Sequence, residues 1–260
     1  MKSAFYNIDE TVLCLMLFAA CILMVLAGKI VRNKFLRKDE QESKGGVSSL
    51  LGALFGLWGF ILAFTFGNSA SRFDNIRSAM VDEANTIRNV LLRSEALPDS
   101  MRVGFRADLK KYLEARIDYY NYGNDLEKFE KTKQDAVDIG KRLWRRAIEA
   151  SSQPNLGSAS NNIMVTLTNM FDIGTRRDAL LLSGIPELIS GMLFFLALVI
   201  SFVGGFTSPV LKQKEWVVVI GFILLACVII YIILDLARPM KGLIRPDVGQ
   251  DKIVQLRRLF

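Results

Sequence analysis

Gly52, Gly56, Gly59, Ala63, Gly67 and Ala70 recur at spacings of four, three, four, four and three, and Asp74 and Arg77 continue the series. On a helix turning about 100° per residue, the six small residues fall within roughly 80° of one another. A helical face almost without side chains, ending in two opposite charges, suits the handling of ions. Small residues leave room at the axis of an assembly, and the flanking Phe60 and Phe64 can form an apolar constriction that gates by dewetting. Asp74 and Arg77 would then ring the mouth and select ions. The same stripe also serves plain packing, because small residues let membrane helices approach closely. Asp74 and Arg77, three apart, also suit a solvated surface pair. Both uses of the stripe hold together at a contact between subunits.

Other chemistry is poorly supplied. The chain has no histidine, the commonest general base and metal ligand. Cys14, Cys21 and Cys227 all lie in apolar runs, which excludes a disulfide framework or a zinc site in the polar segments. The carboxylates of Asp82, Glu83, Asp135 and Asp138 read as solvated helix faces, and no nucleophile elbow, Walker loop, zinc-protease or CxxC motif accompanies them. No enzyme, cofactor or metal is expected. Glu83 and Asn85, set among apolar residues in "VDEANTIRNVLLR", read as contacts that fix register between packed helices.

The elements that must position these residues follow from four charge-free apolar runs. They cover about 11–28, 47–66, 188–206 and 216–234, each near the ~20 residues that cross a bilayer. Apolar residues make up 51% of the chain and mean hydropathy is +0.29, a balance that excludes an ordinary soluble protein. The first run follows "MKSAFYNIDE", where one Lys faces Asp9 and Glu10. That is a poor signal-peptide leader, so the run is read as a retained span.

The predicted fold class is an all-α membrane protein of four transmembrane helices, with a helical extramembrane domain inserted between the second and third. The predicted divisions are 1–67 for the first hairpin, 68–186 for the insert, 187–236 for the second hairpin and 237–260 for the tail. An even number of spans puts the N-terminus, insert and tail on one side. No Gly or Pro stands between Gly67 and Pro98, so the second span is predicted to continue as one helix to about Arg93. Asp99 or Ser100 caps the next helix, which ends at Gly123, and Asn124 or Asp125 caps a third. "SSQPNLGSASNN" reads as a loop before a fourth helix over about 161–182, and Pro186 suits the first turn of the third span. The aromatics beside charges in "KKYLEARIDYYNY" and "GKRLWRRAIEA" fall at helical spacing, with acids interleaved. They read as packing, and nucleic acid is not an expected partner. A net charge of +7 suits anionic lipid and, more weakly, the attraction of anions.

Three stretches carry a resemblance. "AFTFGNSASRFDNIRSAMVDEANTIRNVLLRSEALPDSMR", "LKKYLEARIDYY" and "DLARPMKGLIRP" resemble a group of bacterial membrane proteins named for a bestrophin-like domain. The matching positions are Phe64, Phe66, Ala70, Arg72, Phe73, Asp74, Glu83, Ala84, Asn85, Leu97 and Pro98. After the last span they are Asp235, Arg238, Pro239, Gly242, Leu243 and Ile244. Bestrophins are pentameric anion channels with four spans, a helical cytosolic region and a pore lined by span two. The resemblance therefore implies a homo-oligomer, a pentamer by analogy, that handles inorganic ions in the bacterial inner membrane. It departs from bestrophins in lacking an acidic cluster like their calcium clasp, since the tail has only the spaced Asp235, Asp247 and Asp251.

Orientation divides the signals. Lys29, Arg32, Lys34, Arg37, Lys38 and Lys44 crowd the first connector, opposite a nearly neutral N-terminal segment. This places the connectors inside and the insert outside, whereas the resemblance places the insert inside. The expectation is an oligomeric ion channel or pore, more for anions than cations. It is lined or shaped by Gly52, Gly56, Gly59, Phe60, Ala63, Phe64 and Gly67, with Asp74 and Arg77 at the mouth. The rival expectation is a non-conducting membrane scaffold or sensor whose helical domain binds a partner.

Overall fold

The computed structural model describes residues 9–35, 44–122, 126–184, 186–207 and 213–260. Its described residues form eight α-helices and two short 3-10 turns, with no strand among them. In chain order the helices are α1 (Glu10–Phe35), α2 (Lys44–Arg93), α3 (Asp99–Asn121), α4 (Leu126–Ser151), α5 (Gly157–Leu182), α6 (Glu187–Thr207), α7 (Gln213–Leu236) and α8 (Asp247–Gln255). Four are long and apolar enough to cross a membrane: α1, α2, α6 and α7. The chain is an all-α membrane protein.

The chain divides into two compact units, Met1–Ser71 with Ile185–Ala237, and Arg72–Gly184 with Arg238–Phe260. In the first, α1 packs on α6 and α7. Two glycines make the α1–α6 approach possible. A Cβ on Gly28 would stand 2.1 Å from the Phe202 carbonyl oxygen, and one on Gly205 would stand 2.1 Å from that of Val25. These are the small residues the chain uses to bring its own backbones together. Arg32 of α1 donates to the carbonyls of Phe206 at 3.1 Å and Thr207 at 2.7 Å. A cation thus satisfies the open carbonyls at the end of α6. Leu13, Leu17, Val25, Leu193, Ile200 and Ile230 build the core between these helices.

The second unit has its own core. Ile76, Met80, Ile87 and Leu91 of α2 pack with Phe105, Leu109 and Leu113 of α3, Leu143 of α4, and Ile163 and Leu167 of α5. These positions recur at helical spacing, which is why each helix forms an amphipathic wall of this unit. The tail belongs here: Ile253 of α8 is buried in the same core, and Tyr120 donates to the Pro239 carbonyl at 3.3 Å.

Several local details depart from the sequence expectation. Pro98, not Asp99 or Ser100, is the N-cap of α3, without a side-chain cap; its carbonyl accepts from the amides of Met101 and Arg102. The expected loop over 151–162 is much shorter, since α5 starts at Gly157 and the turn closes on Asn155 at φ 70°. Asn tolerates that left-handed conformation better than most residues. Pro186 precedes α6, accepting from the Ile189 amide at 2.9 Å. The expected stop at Gly123 and the caps at Asn124 or Asp125 lie outside the described residues.

Candidate functional site

Within the first unit, α2 has two unlike faces. Trp58, Leu62, Thr65 and Ser69 are buried. Trp58 donates its indole N–H to the Leu193 carbonyl at 3.4 Å, and Phe222 meets the Phe55 ring edge-on at 5.1 Å. Thr65 and Ser69 return their hydroxyls to the carbonyls of Ile61 and Thr65, one turn back. The opposite face is bare. Gly52, Gly56, Gly59, Phe60, Ala63, Phe64 and Gly67 are all exposed in the single chain. A Cβ built on Gly52, Gly56, Gly59 or Gly67 would meet no atom within 4 Å. Phe60 and Phe64 stack on each other at 6.5 Å, with 70% and 61% of their surfaces open.

The open faces of the other spans carry fewer glycines, with Gly191 and Gly204 on α6 and Gly221 on α7 as the open ones. α1 presents Leu15, Met16 and Leu23, and α7 presents Val217, Val218, Leu224 and Leu225. Bulky aliphatics of that sort suit lipid chains. A glycine face gains little from lipid and much from a close helix.

Asp74 and Arg77 are both exposed on the part of α2 that belongs to the second unit. Nearby, Arg72 donates to the Leu180 carbonyl at 2.9 Å and to the Ser183 hydroxyl at 3.4 Å. It therefore caps the C-terminal end of α5, where a guanidinium is favoured by the carbonyl dipoles.

Glu83 lies beyond the charge-free run of α2, fully buried. It accepts from Arg116 Nε of α3 and from Arg177 Nη1 of α5, both at 2.5 Å. Arg116 continues to Asp178 at 2.7 Å and to the Gly174 carbonyl at 3.3 Å. Arg177 reaches Gln250 of α8 at 3.4 Å, and Gln250 in turn donates to the Ile117 carbonyl. Two carboxylates and two guanidiniums thus balance, and four helices meet on one neutral network. Burial pushes the Glu83 carboxyl up, but the two guanidiniums together outweigh it and hold the group below the ordinary carboxylate range. The network joins the four helices, and its outer members Arg116 and Asp178 also line a cleft between α3, α4 and α5. Asn85, two residues on, is exposed.

Asp235 and Arg238 are buried near the end of α7 and just after it, each in interactions of its own. The carbonyl of Arg238 accepts from the amides of Lys241 and Gly242 in the turn that follows. Sequence reasoning did not find Arg116, Arg177, Asp178 or Gln250. Each stands at an apolar-face position of its helix, and that is the signal that would have exposed them. Gly28 and Gly205 were also passed over, since no spacing pattern sets them apart.

A family model described as Bestrophin-like domain matches residues 14–245. None of the curated proteins matches the chain. Among solved structures, a bacterial Bestrophin homolog from Klebsiella pneumoniae carrying a point mutation superimposes with a TM-score of 0.70. The identity is 11%, with 92% of this chain and 96% of that chain covered. A second structure of the homolog gives 0.67 at 12% identity, covering 93% and 97%. A third, with another mutation, gives 0.69 at 10% identity, covering 96% and 98%. At such identities the likeness is one of fold. The family model spans nearly the whole of both units, and the chain belongs to the Bestrophin-like domain family.

Proposed function

We propose that the protein is an oligomeric ion channel of the bacterial inner membrane, with α2 lining the passage. The observation that carries the reading is the bare face of α2: glycines with no neighbour within 4 Å, opposite the face on which the chain packs against itself. Copies meeting through that face leave a narrow axis, and Phe60 and Phe64 are the bulky groups beside it. They form the apolar constriction, and Asp74 and Arg77 stand at the mouth. The buried Glu83 network joins the helices of the second unit, to which Asp74 and Arg77 belong. A preference for anions is supported by the net charge of +7 and by the family's likeness to bestrophins. The N-terminus, second unit and tail share one side of the membrane, since four spans return the chain to where it began. The partners in this reading are the bilayer, further copies of the chain and inorganic ions.

Purified protein in liposomes under chloride and potassium gradients tests this reading, with Phe64→Ala beside the wild type. Flux that changes with Phe64, in an assembly that stays intact, supports the channel. A silent wild type, confirmed as an intact oligomer and tried across pH, replaces it with the non-conducting scaffold.

A further inference from the structure

A cleft of about 1010 Å³ opens between α3, α4 and α5, all within the second unit. Nothing in the ion-passage reading uses it. Its floor is apolar: Trp144, Phe171, Val137 and Leu182 line it, and Val137 and Leu182 keep 47% and 54% of their surfaces open. Gly140 shapes that floor, because a Cβ there would stand 3.1 Å from the Phe171 ring. The glycine lets the Phe171 ring approach α4 a few tenths of an ångström closer than a Cβ would allow.

One wall is cationic. Lys133, Lys141 and Arg145 line the cleft from α4; Lys141 and Arg145 stand one turn apart on one face, and Lys133 lies about 18 Å from Arg145 toward the start of the helix. Lys141 pairs with Asp138 at 3.1 Å. Lys133 and Arg145 have no ion-pair partner among the described residues. Arg116, at the inner end, is already engaged by Glu83 and Asp178. The acids in the lining are Asp172 and Asp178 of α5, and Asp178 is held by Arg116. The cations outnumber the acids, and the two unpaired ones stand at the rim.

We propose that this cleft binds a water-soluble anionic amphiphile: a carboxylate on Arg145, one turn from Lys141, with its aliphatic or aromatic body on Trp144, Phe171 and Val137, along α4 toward Lys133. The volume suits a ligand of that class, and charge complementarity selects an anion over a neutral or cationic body. Binding is independent of conduction, so a silent channel leaves the assignment standing.

The test uses the full chain in lipid nanodiscs with a diazirine-bearing decanoate as photoprobe, its methyl ester as the uncharged control, and mass spectrometry to locate the adducts. Adducts on the peptides holding Val137, Trp144 or Phe171 are expected, competed by free decanoate and at least tenfold weaker for the ester. Lys133→Glu with Arg145→Glu is expected to lower them tenfold or more, and Arg145→Gln alone gives a milder form of the same loss should the double variant fail to fold. Equal labelling by acid and ester, labelling confined to the membrane spans, or a cleft unlabelled because a second copy of the chain covers it would each overturn the assignment.

Discussion

Glu83 and Arg177 stand 94 positions apart in the chain, yet their charged atoms meet at 2.5 Å with neither side chain exposed. No water reaches the pair, so the cost of removing either partner is that of stranding the other. Such a loss is worth about 3–5 kcal/mol. Glu83→Gln and Arg177→Met are each expected to lower the unfolding midpoint sharply, and the double variant should lose less than their sum. The carboxyl is held below the ordinary carboxylate range when folded, so the sign with pH is fixed. Its stabilisation is fully present above the unfolded value, about 4.3, and fades as pH falls through the lower folded value. Denaturant unfolding of wild type and Glu83→Gln should therefore differ by a constant amount from pH 7 to 5, and converge only in stronger acid. Additive losses, or convergence already near pH 6, would contradict this account.

The glycines of the spans divide into two kinds, and a single methyl group tells them apart. A Cβ at Gly28 or Gly205 meets backbone at 2.1 Å, while one at Gly56 meets nothing. Gly28→Ala and Gly205→Ala must force α1 and α6 apart, an overpacking penalty of about 1–3 kcal/mol or more. Both are expected to reduce resistance to unfolding in detergent titrations. Gly56→Leu is expected to leave the folding of one chain intact and to weaken assembly, read as oligomer mass by light scattering. An oligomer that tolerates Gly56→Leu and conducts as the wild type does would show that this face looks toward lipid.

Asp74 and Arg77 carry the prediction about selectivity. Exposed charges at a mouth act on ions through their local potential, and that effect is screened by salt. Arg77→Glu is expected to shift the reversal potential toward cation permeation, Asp74→Asn toward anions, and both shifts should shrink at high ionic strength. Neither residue is buried, so both variants should fold and assemble as the wild type does. Reversal potentials that do not move in either variant would place the selecting charges elsewhere.

The spans and the long α2 were legible because their signals are local. A charge-free run has one physical reading at that length, and the absence of Gly or Pro between Gly67 and Pro98 leaves nothing to stop the helix. The partners of Glu83 were not legible. Periodicity says which face of α2 is apolar, but not which arginine on another helix will arrive there. Gly28 and Gly52 look alike for a related reason. A glycine in a span marks either a backbone contact within the chain or a face left open for a copy, and only the neighbouring helix decides. The tail was missed because α8 is short and polar, and it gains its place from tertiary contacts alone.

The attachment of that tail rests on Gly249. A Cβ there would stand 2.8 Å from Met80 Cβ and 3.2 Å from the Arg77 carbonyl oxygen, too close for either to be spared. Gly249→Ala should therefore lift α8 from α2, while the helix propensity of alanine would by itself favour α8. Gln250 then loses its reach to Arg177, and the exposed bridge from Arg257 to Glu114 is too weak to hold the segment alone. The expected result is hydrogen exchange faster by tenfold or more across 247–255, with the amides of α3 and α5 nearly unchanged. Val248→Ala serves as control, since Val248 is 62% exposed and lies next to the same contact. Equal protection in both variants would mean that the tail is held by its later residues and that the close approach at Gly249 is incidental.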